Sequence, residues 1–423
     1  MVKEVFLKIM QDLAGWLLML FSFSIVLMWK RVRSDTKLVH AIWFCIFLHH
    51  VVVLLNVYVC TIIGAEGDAR SFHFFGAETA VSSEPLRVFL ANPSVAYSNF
   101  LAFFYRTFGT SFFFGGELSV LAFTLSCVVL VKLVDLLDLR NFSVGIILLF
   151  GLLPSAMIFR SVTLRESWQA LFFLLSVYFA IRLRKRASIL IFSFMLMSAF
   201  CMALLHNGLK VYGMYLVLIS IYWGILCSKK GVYLVRPIRF LVAGLLIICV
   251  IMLTQNMGWH VPMTVGDILE STESQRQSAA TIIGRTTYGS DLNTSSVLGF
   301  VKTTPKTFIQ YMFNPFPWKV RNILDVYALL ESMLRFVLLF FAVYSWRRFS
   351  GEVRSCYGFL LIVVLCMEFM WALGTVNWGT AIRHHVPGYS VIVLLGAPGL
   401  ILFMQSLHFE MFGRRKDNTM LPK

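Results

Sequence analysis

Long apolar runs separated by short polar segments dominate the chain. Eleven of these runs approach the length of about 20 residues that crosses a hydrocarbon core of roughly 30 Å as a helix. They cover approximately residues 13–29, 38–63, 118–136, 143–159, 167–181, 188–205, 211–227, 239–255, 326–345, 356–375 and 389–407. The pattern predicts an all-α polytopic membrane protein with about eleven transmembrane helices, folded as a single integral membrane domain over residues 1–423.

The composition excludes the main soluble classes. Hydrophobic residues make up 58% of the chain and charged residues 14%, whereas a soluble domain carries about 25% charged residues and a disordered chain is far less apolar. The formal net charge of +16 would suit a nucleic-acid-binding protein only if it formed patches on a polar surface. We therefore expect membrane lipids, and no nucleic acid, as partners.

The distribution of lysine and arginine predicts the orientation, because these residues concentrate in short cytoplasmic loops. If segment 30–33 is cytoplasmic, alternation along the chain also places the basic segments 182–186, 229–239, 347–354 and 414–416 on that side. Nearly all of the net charge then lies there, where it meets anionic lipid. This topology predicts an outer N-terminus and a cytoplasmic C-terminus.

Two long connections, residues 64–117 and 256–325, lie on the predicted outer face. The first contains an aromatic-rich stretch, 97–114, that predicts an amphipathic helix in the membrane interface. The second is rich in Ser, Thr and Gly from 271 to 296, which makes it the best candidate for a mobile lid. It closes with Asn-Pro-Phe-Pro-Trp at 314–318, where the prolines exclude a regular helix.

The polar residues that interrupt the apolar runs form five clusters, all on the predicted outer side. They are Asp68, Arg70 and His73; Arg160, Arg165 and Glu166; His206, Asn207 and Lys210; Arg285 and Asp291; and Arg383, His384 and His385. A carboxylate among several cations at a bilayer surface suits transfer of a group from a lipid phosphate. The cations bind the phosphate and offset charge on the departing oxygen, while the carboxylate removes a proton from the attacking hydroxyl.

Four of these segments resemble a known superfamily. The sequence Gly67-Asp68-Ala69-Arg70, after an early transmembrane run, is similar to the first outer loop of the GT-C membrane glycosyltransferases, which use polyprenyl-phosphate sugars. Leu164-Arg165-Glu166-Ser167, residues 314–318 and Arg383-His384-His385 are similar to segments of bacterial polysaccharide-assembly members, including O-antigen polymerases of the Wzy type. The Asp-Glu or Asp-Asp doublet common in GT-C enzymes is absent.

The resemblance implies a GT-C-like fold and a glycosyltransferase of the bacterial inner membrane with its active site on the periplasmic face. Its partners would be a polyprenyl-linked sugar donor and a glycan or lipid-linked acceptor. Asp68 and His384 are the catalytic candidates; the candidates for binding phosphate or sugar are Arg70, His73, Arg165, Glu166, His206, Lys210, Arg285 and Arg383. No cofactor is assigned, and Asp68 has three open roles: general base, ligand of a divalent metal ion, or neither.

Simpler roles compete with these. Asp68 is also a candidate helix cap, Arg165 and Glu166 a structural ion pair at a helix start, and the basic residues from 383 to 385 interfacial anchors. As a whole, the chain is also a candidate transporter or flippase of lipid-linked sugars, or a non-catalytic scaffold. The absence of an internal repeat disfavours the transporter.

Within the predicted spans, a few ionisable residues need partners of their own. His49 and His50 point about 100° apart on a helix, which favours buried hydrogen bonding over a shared ligand. Glu331 and Arg335 lie four residues apart and are expected either to pair with each other or to mark a pathway through the membrane. Glu368 has no partner nearby in the sequence.

Overall fold

The computed structural model describes residues 12–82, 92–186, 188–223, 264–280, 286–288 and 292–412, and the regular elements in these ranges are helical. The all-α prediction is confirmed. In chain order the main helices are α1 Leu13–Val26, α2 Thr36–Leu54, α3 Asp68–Val81, α4 Pro93–Phe108, α5 Phe112–Leu136, α6 Ser143–Leu152, α7 Pro154–Phe159, α8 Glu166–Lys185, α9 Ile189–Leu204, α10 Asn207–Ile221, α11 Val265–Ala280, α12 Val297–Phe313, α13 Ile323–Arg348, α14 Gly351–Gly374 and α15 Trp378–Phe412.

Five helices in these ranges are long and apolar enough to cross a membrane. They are α2 with its continuation to Val59, α5, α13, α14 and α15. Other predicted runs coincide with shorter apolar helices, among them α1, α9 and α10, and run 239–255 lies outside the described residues. The structure therefore supports a helical membrane protein, while the count of eleven spans is not confirmed.

Two predicted runs differ in detail from the helices. Run 143–159 is divided between α6 and α7, because Leu153 is extended and Pro154 starts a new helix at its first position, where the missing proline N–H costs least. The last helix begins at Trp378 instead of at 389. Arg383 and its neighbours thus lie on the first turns of α15, and were wrongly placed before it.

The two long connections are largely helical. The aromatic stretch 97–114 forms most of α4, but that helix ends at Gly109, whose φ of 91° breaks it before α5 starts. Helix α11 includes residues 271–280 of the proposed lid and packs on α14, where Arg276 Nη1 donates to the Leu373 carbonyl at 3.1 Å. The expectation of a loop there was wrong. Residues 314–316 do leave the helical path as predicted.

Helix α5 lies at the centre of the bundle and packs on α1, α2 and α8. Its Ser111 cap accepts from the Phe114 amide at 3.1 Å, which satisfies one free N–H of the first turn. Deeper along α5, Glu117 lies 2.7 Å from His50 Nδ1 on α2, and both side chains are buried. His49 Nδ1 lies 2.8 Å from the Cys45 carbonyl. The prediction of buried hydrogen bonding is confirmed for His49, whereas His50 lies within ion-pair distance of a buried carboxylate.

Charged residues gather at the two ends of α8, which are about 30 Å apart in a 20-residue helix. At its C-terminal end Arg184 pairs with Glu352 at 2.6 Å. At its N-terminal end Glu166 pairs with Arg383 at 2.6 Å. We call the second end the site end.

Helices α13 and α15 pack closely at Gly396, where a Cβ would collide with the Leu338 carbonyl. Because helices in membranes approach through small residues, Gly396→Ala is expected to lower the free energy of unfolding by about 1–3 kcal/mol, the usual cost of overpacking. Thermal unfolding in detergent measures this. Gly266→Ala is the matched control, since its new Cβ meets nothing nearer than 3.5 Å. Equal melting temperatures for the two variants would contradict the close approach.

Candidate functional site

One arginine joins three helices at the site end. Arg383, on the second turn of α15, places Nη2 at 2.6 Å and Nε at 3.1 Å from Glu166 Oε1 in the first turn of α8. Its Nη1 donates at 2.8 Å to Asp68 Oδ2 in the first turn of α3. The Glu166 side chain is 4% exposed and the Asp68 side chain 57%. Of the two carboxylates, Asp68 is therefore the one that a ligand can reach.

Arg165 is a second cation at this point, and no carboxylate among the described residues pairs with it. Its guanidinium lies over the Phe72 ring at 5.5 Å, and its buried Nε has no hydrogen-bond partner. Burial lowers the pKa of Arg165, and the charge of Arg383 lowers it further, against the opposite effect of Glu166. An arginine stays protonated in such a setting, so its charge favours an anion. We call Asp68, Arg165, Glu166 and Arg383 the arginine cluster.

Two histidines surround an indole ring beside this cluster. His384 stacks on Trp371 at 4.0 Å, and its Nδ1 shares a 2.9 Å hydrogen bond with Thr375 Oγ1. His206 meets the same indole edge-on at 4.5 Å and lies 5.8 Å from His384. The Trp371 Nε1 donor is buried without a partner. A buried polar group left unpaired costs free energy, so this donor favours a polar ligand.

His206 also starts α10, because its Nδ1 accepts from the Gly208 amide at 3.1 Å. Burial lowers the pKa of His206 well below its usual range, and the positive charges of Arg165 and Lys210 lower it further. Lys210, on the first turn of α10, therefore belongs to the same surroundings; burial lowers its pKa as well. Arg285 lies outside the described residues.

Arg70 and His73 do not join the arginine cluster. Arg70 Nη2 donates to Thr61 Oγ1 at 3.1 Å, and His73 Nδ1 lies 2.9 Å from the Tyr105 hydroxyl. The reason is helical geometry: positions two apart on a helix point about 200° away from each other, so Arg70 faces away from Asp68. Of the three residues grouped in the sequence, only Asp68 therefore lies in the arginine cluster.

The simpler structural roles can be compared with these contacts. Gly67 precedes α3, and no side chain caps that helix; the Asp68 carboxylate instead contacts Arg383. Glu166 stands in the first turn of α8, where a negative charge is favourable, but its ion-pair partner is Arg383 and not Arg165. The proposed ion pair between Arg165 and Glu166 is therefore absent, which leaves Arg165 open to a ligand.

A buried polar network lies deeper in the bundle, and sequence reasoning missed it. Arg335 on α13 donates to His385 Nε2 at 2.5 Å and to the Tyr389 hydroxyl at 2.9 Å. His385 Nδ1 lies 2.5 Å from Glu368 Oε2, and the Tyr311 hydroxyl donates to the same oxygen at 3.1 Å. This network therefore links α12, α13, α14 and α15 through hydrogen bonds among ionisable side chains. We call these five residues the core network.

One expectation for the spans, the ion pair between Glu331 and Arg335, is corrected. The carboxylate of Glu331 accepts from the Ser155 hydroxyl, and no ion pair joins it to Arg335. Glu368, without a partner nearby in the sequence, pairs with His385 across helices. Helical periodicity was the one feature of the sequence that could have indicated this network. His385 is two positions beyond Arg383 on α15 and so points to the opposite side of the helix.

The residues of the arginine cluster do not form a metal site. No group of three or more His, Cys, Asp or Glu residues in the described ranges is arranged to hold an ion. The Arg383 guanidinium contacts both nearby carboxylates, those of Asp68 and Glu166, and a bound divalent ion would compete with it there. A metal-ligand role for Asp68 has no support in this geometry.

Comparison with known proteins identifies no relative. No protein family, no curated protein and no solved structure matches the chain. The resemblance to GT-C enzymes thus stays a prediction from a few short segments. A function for this protein has to be argued from the arginine cluster and its surroundings.

The lowered pKa of His206 has a consequence for stability. As the pH falls below about 6.5, the unfolded chain takes up a proton that the folded chain does not, so stability present above this pH is lost by up to about 1.4 kcal/mol per pH unit. His206→Asn keeps a capping side chain and removes the titration. We expect melting temperatures measured from pH 7.5 to 5.5 to fall less steeply for this variant. If melting temperature falls equally steeply with pH in the wild type and in His206→Asn, His206 is not a buried neutral histidine.

Proposed function

We propose that this protein is a membrane glycosyltransferase that moves a sugar or oligosaccharide from a polyprenyl-(pyro)phosphate donor, in the assembly of bacterial surface polysaccharide. A polymerase is the form we favour. One observation carries the proposal: Arg165 and Arg383 lie together with the accessible carboxylate of Asp68 at one end of the helical bundle. Two arginines suit a phosphate, and a carboxylate beside them suits deprotonation of a sugar hydroxyl.

The proposed reaction gives Asp68 and the two arginines one role each. The acceptor hydroxyl oxygen attacks the anomeric carbon of the donor, and the bond from that carbon to the phosphate oxygen breaks. Asp68 takes the hydroxyl proton, and the departing (pyro)phosphate keeps the electron pair. Arg165 and Arg383 offset the charge that develops on it, which is where fixed cations lower a barrier most.

The ion pair between Asp68 and Arg383 has a place in this scheme. Asp68 Oδ2 accepts from Arg383 Nη1, so this oxygen is occupied until the guanidinium turns to another ligand. A phosphate that binds Arg383 competes with Asp68 for the same N–H groups and releases the carboxylate. Binding of the donor would thereby switch on the base. Glu166, nearly fully buried, would stay on Arg383 and keep it in position.

The groups around Trp371 complete the proposed site. An indole face and histidine ring nitrogens suit the apolar face and the hydroxyls of a sugar. His384 remains the alternative proton acceptor on the acceptor side. The site would face the periplasm in a GT-C-like arrangement of about eleven spans, which places it beside the lipid-linked donor.

The test is a reconstituted assay with purified full-length protein and a radiolabelled polyprenyl-linked donor in detergent. Asp68→Asn and Arg165→Gln should each lower turnover by two orders of magnitude or more, the range for removing one charge-stabilising group. Lys302→Gln, an exposed cation on α12, is the matched control. Unchanged polysaccharide length and amount in cells that carry only the Asp68 and Arg165 variants would refute the proposal.

A second candidate function is a transporter or flippase of lipid-linked sugars. The core network favours it, because paired ionisable residues inside a membrane protein often mark a translocation or proton pathway. The same assay separates the two functions. Turnover in detergent, where no two compartments exist, cannot come from a transporter.

A further inference from the structure

A polar cavity lies beside α3, lined in part by Arg70 and His73, which do not join the arginine cluster. It encloses about 490 Å³, and its polar lining comes from Asp12, Asn56, Thr61, Arg70, His73, Thr110 and Ser111. The Phe74 and Phe112 rings also line it. We call this cavity the polar chamber. Its mixture of hydroxyl, amide, ionic and aromatic groups is typical of a site for a sugar phosphate.

The charged groups of the polar chamber are only partly used by the protein. Arg70 donates one N–H to the neutral hydroxyl of Thr61, and no carboxylate in the described ranges lies within ion-pair distance of it. Asp12 accepts from the Tyr58 hydroxyl at 2.6 Å and from the Ser111 hydroxyl. Arg70 is therefore open to a phosphate, whereas the oxygens of Asp12 sit among hydroxyls.

His73 suits a neutral ligand group in the same chamber. Burial lowers its pKa to about 4, so the ring is uncharged at neutral pH. Its Nδ1 is engaged by Tyr105, which leaves Nε2 for a hydroxyl. The exposed Phe74 ring, 64% accessible, offers an apolar surface for a sugar face.

A separate apolar groove lies between α1, α4 and α5. It has a volume of about 560 Å³ and is lined by side chains such as Leu13, Leu17, Phe21, Phe108 and Phe114. From Leu13 to Phe21 it follows α1 for about 12 Å at 1.5 Å per residue. The long side chains on its α1 wall are exposed, Leu17 to 58%. We call it the apolar groove.

Consecutive residues border the two spaces. Asp12 lines the chamber and Leu13 the groove; on α5, Phe113 lines the chamber and Phe114 the groove. A polar site thus lies next to an apolar groove along α1 and α5. A polar space beside an apolar groove matches the polar head and the hydrocarbon chain of a lipid. We therefore expect the ligand to be a lipid.

We propose that the polar chamber and the apolar groove together bind one lipid-linked sugar phosphate, with its phosphate on Arg70, its sugar among Asp12, His73 and Phe74, and its isoprenoid chain in the groove. The role of this lipid as the second substrate rests on the proposed function, whereas its binding does not. Asp68 of the arginine cluster and Arg70 of the chamber both lie on the first turn of α3. One helix turn would therefore separate donor and acceptor.

Equilibrium binding to purified full-length protein tests the proposal. The probes are radiolabelled farnesyl phosphate carrying glucose, galactose or N-acetylglucosamine, with farnesyl phosphate and phosphatidylglycerol as comparisons. Measurements are made in the Arg383→Gln/Glu166→Gln background, which removes binding at the arginine cluster. At least one sugar-bearing probe is expected to bind more tightly than both comparison lipids.

Three further substitutions in that background locate the site. Arg70→Gln should weaken binding about tenfold or more, as expected when a charge-assisted hydrogen bond is lost. Ala14→Trp fills the groove and should weaken it similarly, while Lys302→Gln should change nothing. Thermal unfolding confirms that each variant is folded.

The outcomes separate the two proposals. Tight binding that depends on Arg70 and Ala14 supports the chamber even if the wild-type protein shows no transferase turnover. Equal affinity for phosphatidylglycerol overturns the assignment to a sugar phosphate. If neither Arg70→Gln nor Ala14→Trp changes the affinity, the proposed location of the site is wrong, even if turnover is normal.

Discussion

Replacing Arg383 by glutamine is expected to abolish most of the glycosyl transfer, with turnover lowered by about a hundredfold to a thousandfold. Arg383 contacts both Asp68 and Glu166, so the substitution removes a phosphate ligand and the partner of the proposed base together. Arg383→Lys keeps the charge but loses the two-pronged contact with phosphate oxygens. It should retain only part of the activity.

Loss of folding has to be separated from loss of chemistry in this experiment. Arg383→Gln leaves Glu166, 4% exposed, as a buried carboxylate without its ion-pair partner, which is strongly destabilising. Arg383→Gln/Glu166→Gln removes both charges and should unfold close to the wild-type temperature while remaining inactive. Rates are measured per mole of folded protein. A double variant with the wild-type rate would remove Arg383 from the mechanism.

The helices were predictable because a membrane-spanning helix is a local signal. Twenty consecutive apolar residues specify it without reference to any other part of the chain. The break in run 143–159 was visible too, as Pro154 lies in its middle. The helices of the second long connection were missed because α11 is polar along most of its length and resembles a loop in composition.

For the arginine cluster, the sequence predicted that the candidate residues lie on one side of the membrane, but it did not predict which of them are in contact. Alternation of the loops places Asp68, Arg165 and Arg383 at the same end of the bundle, as their contacts show. Which neighbouring residues share a site depends on the direction in which each side chain points around its helix axis. That direction can be assigned only when the first residue of the helix is known. With α15 taken to begin at 389, Arg383 and His385 appeared as one cluster, although 200° of helix separates them.

Arg335→Leu is expected to cause the largest loss of stability among the substitutions considered. Arg335 is 2% exposed and donates to His385, to Tyr389 and to the Met312 carbonyl. Its removal leaves the Glu368 carboxylate, 0% exposed, without the nearby positive charge. Breaking a buried charged network in this way costs about 3–5 kcal/mol.

Arg335→Leu/Glu368→Gln distinguishes charge from packing. If the loss comes from an uncompensated carboxylate, neutralising Glu368 should restore more than half of the lost free energy, because the glutamine can still accept from Tyr311. Unfolding of the single and double variants in mixed micelles with increasing SDS gives both values. If the double variant is less stable than Arg335→Leu alone, packing and hydrogen bonds stabilise the core network more than its charges do. In that case the network would be a structural brace, and the transporter candidate would lose the observation that favours it.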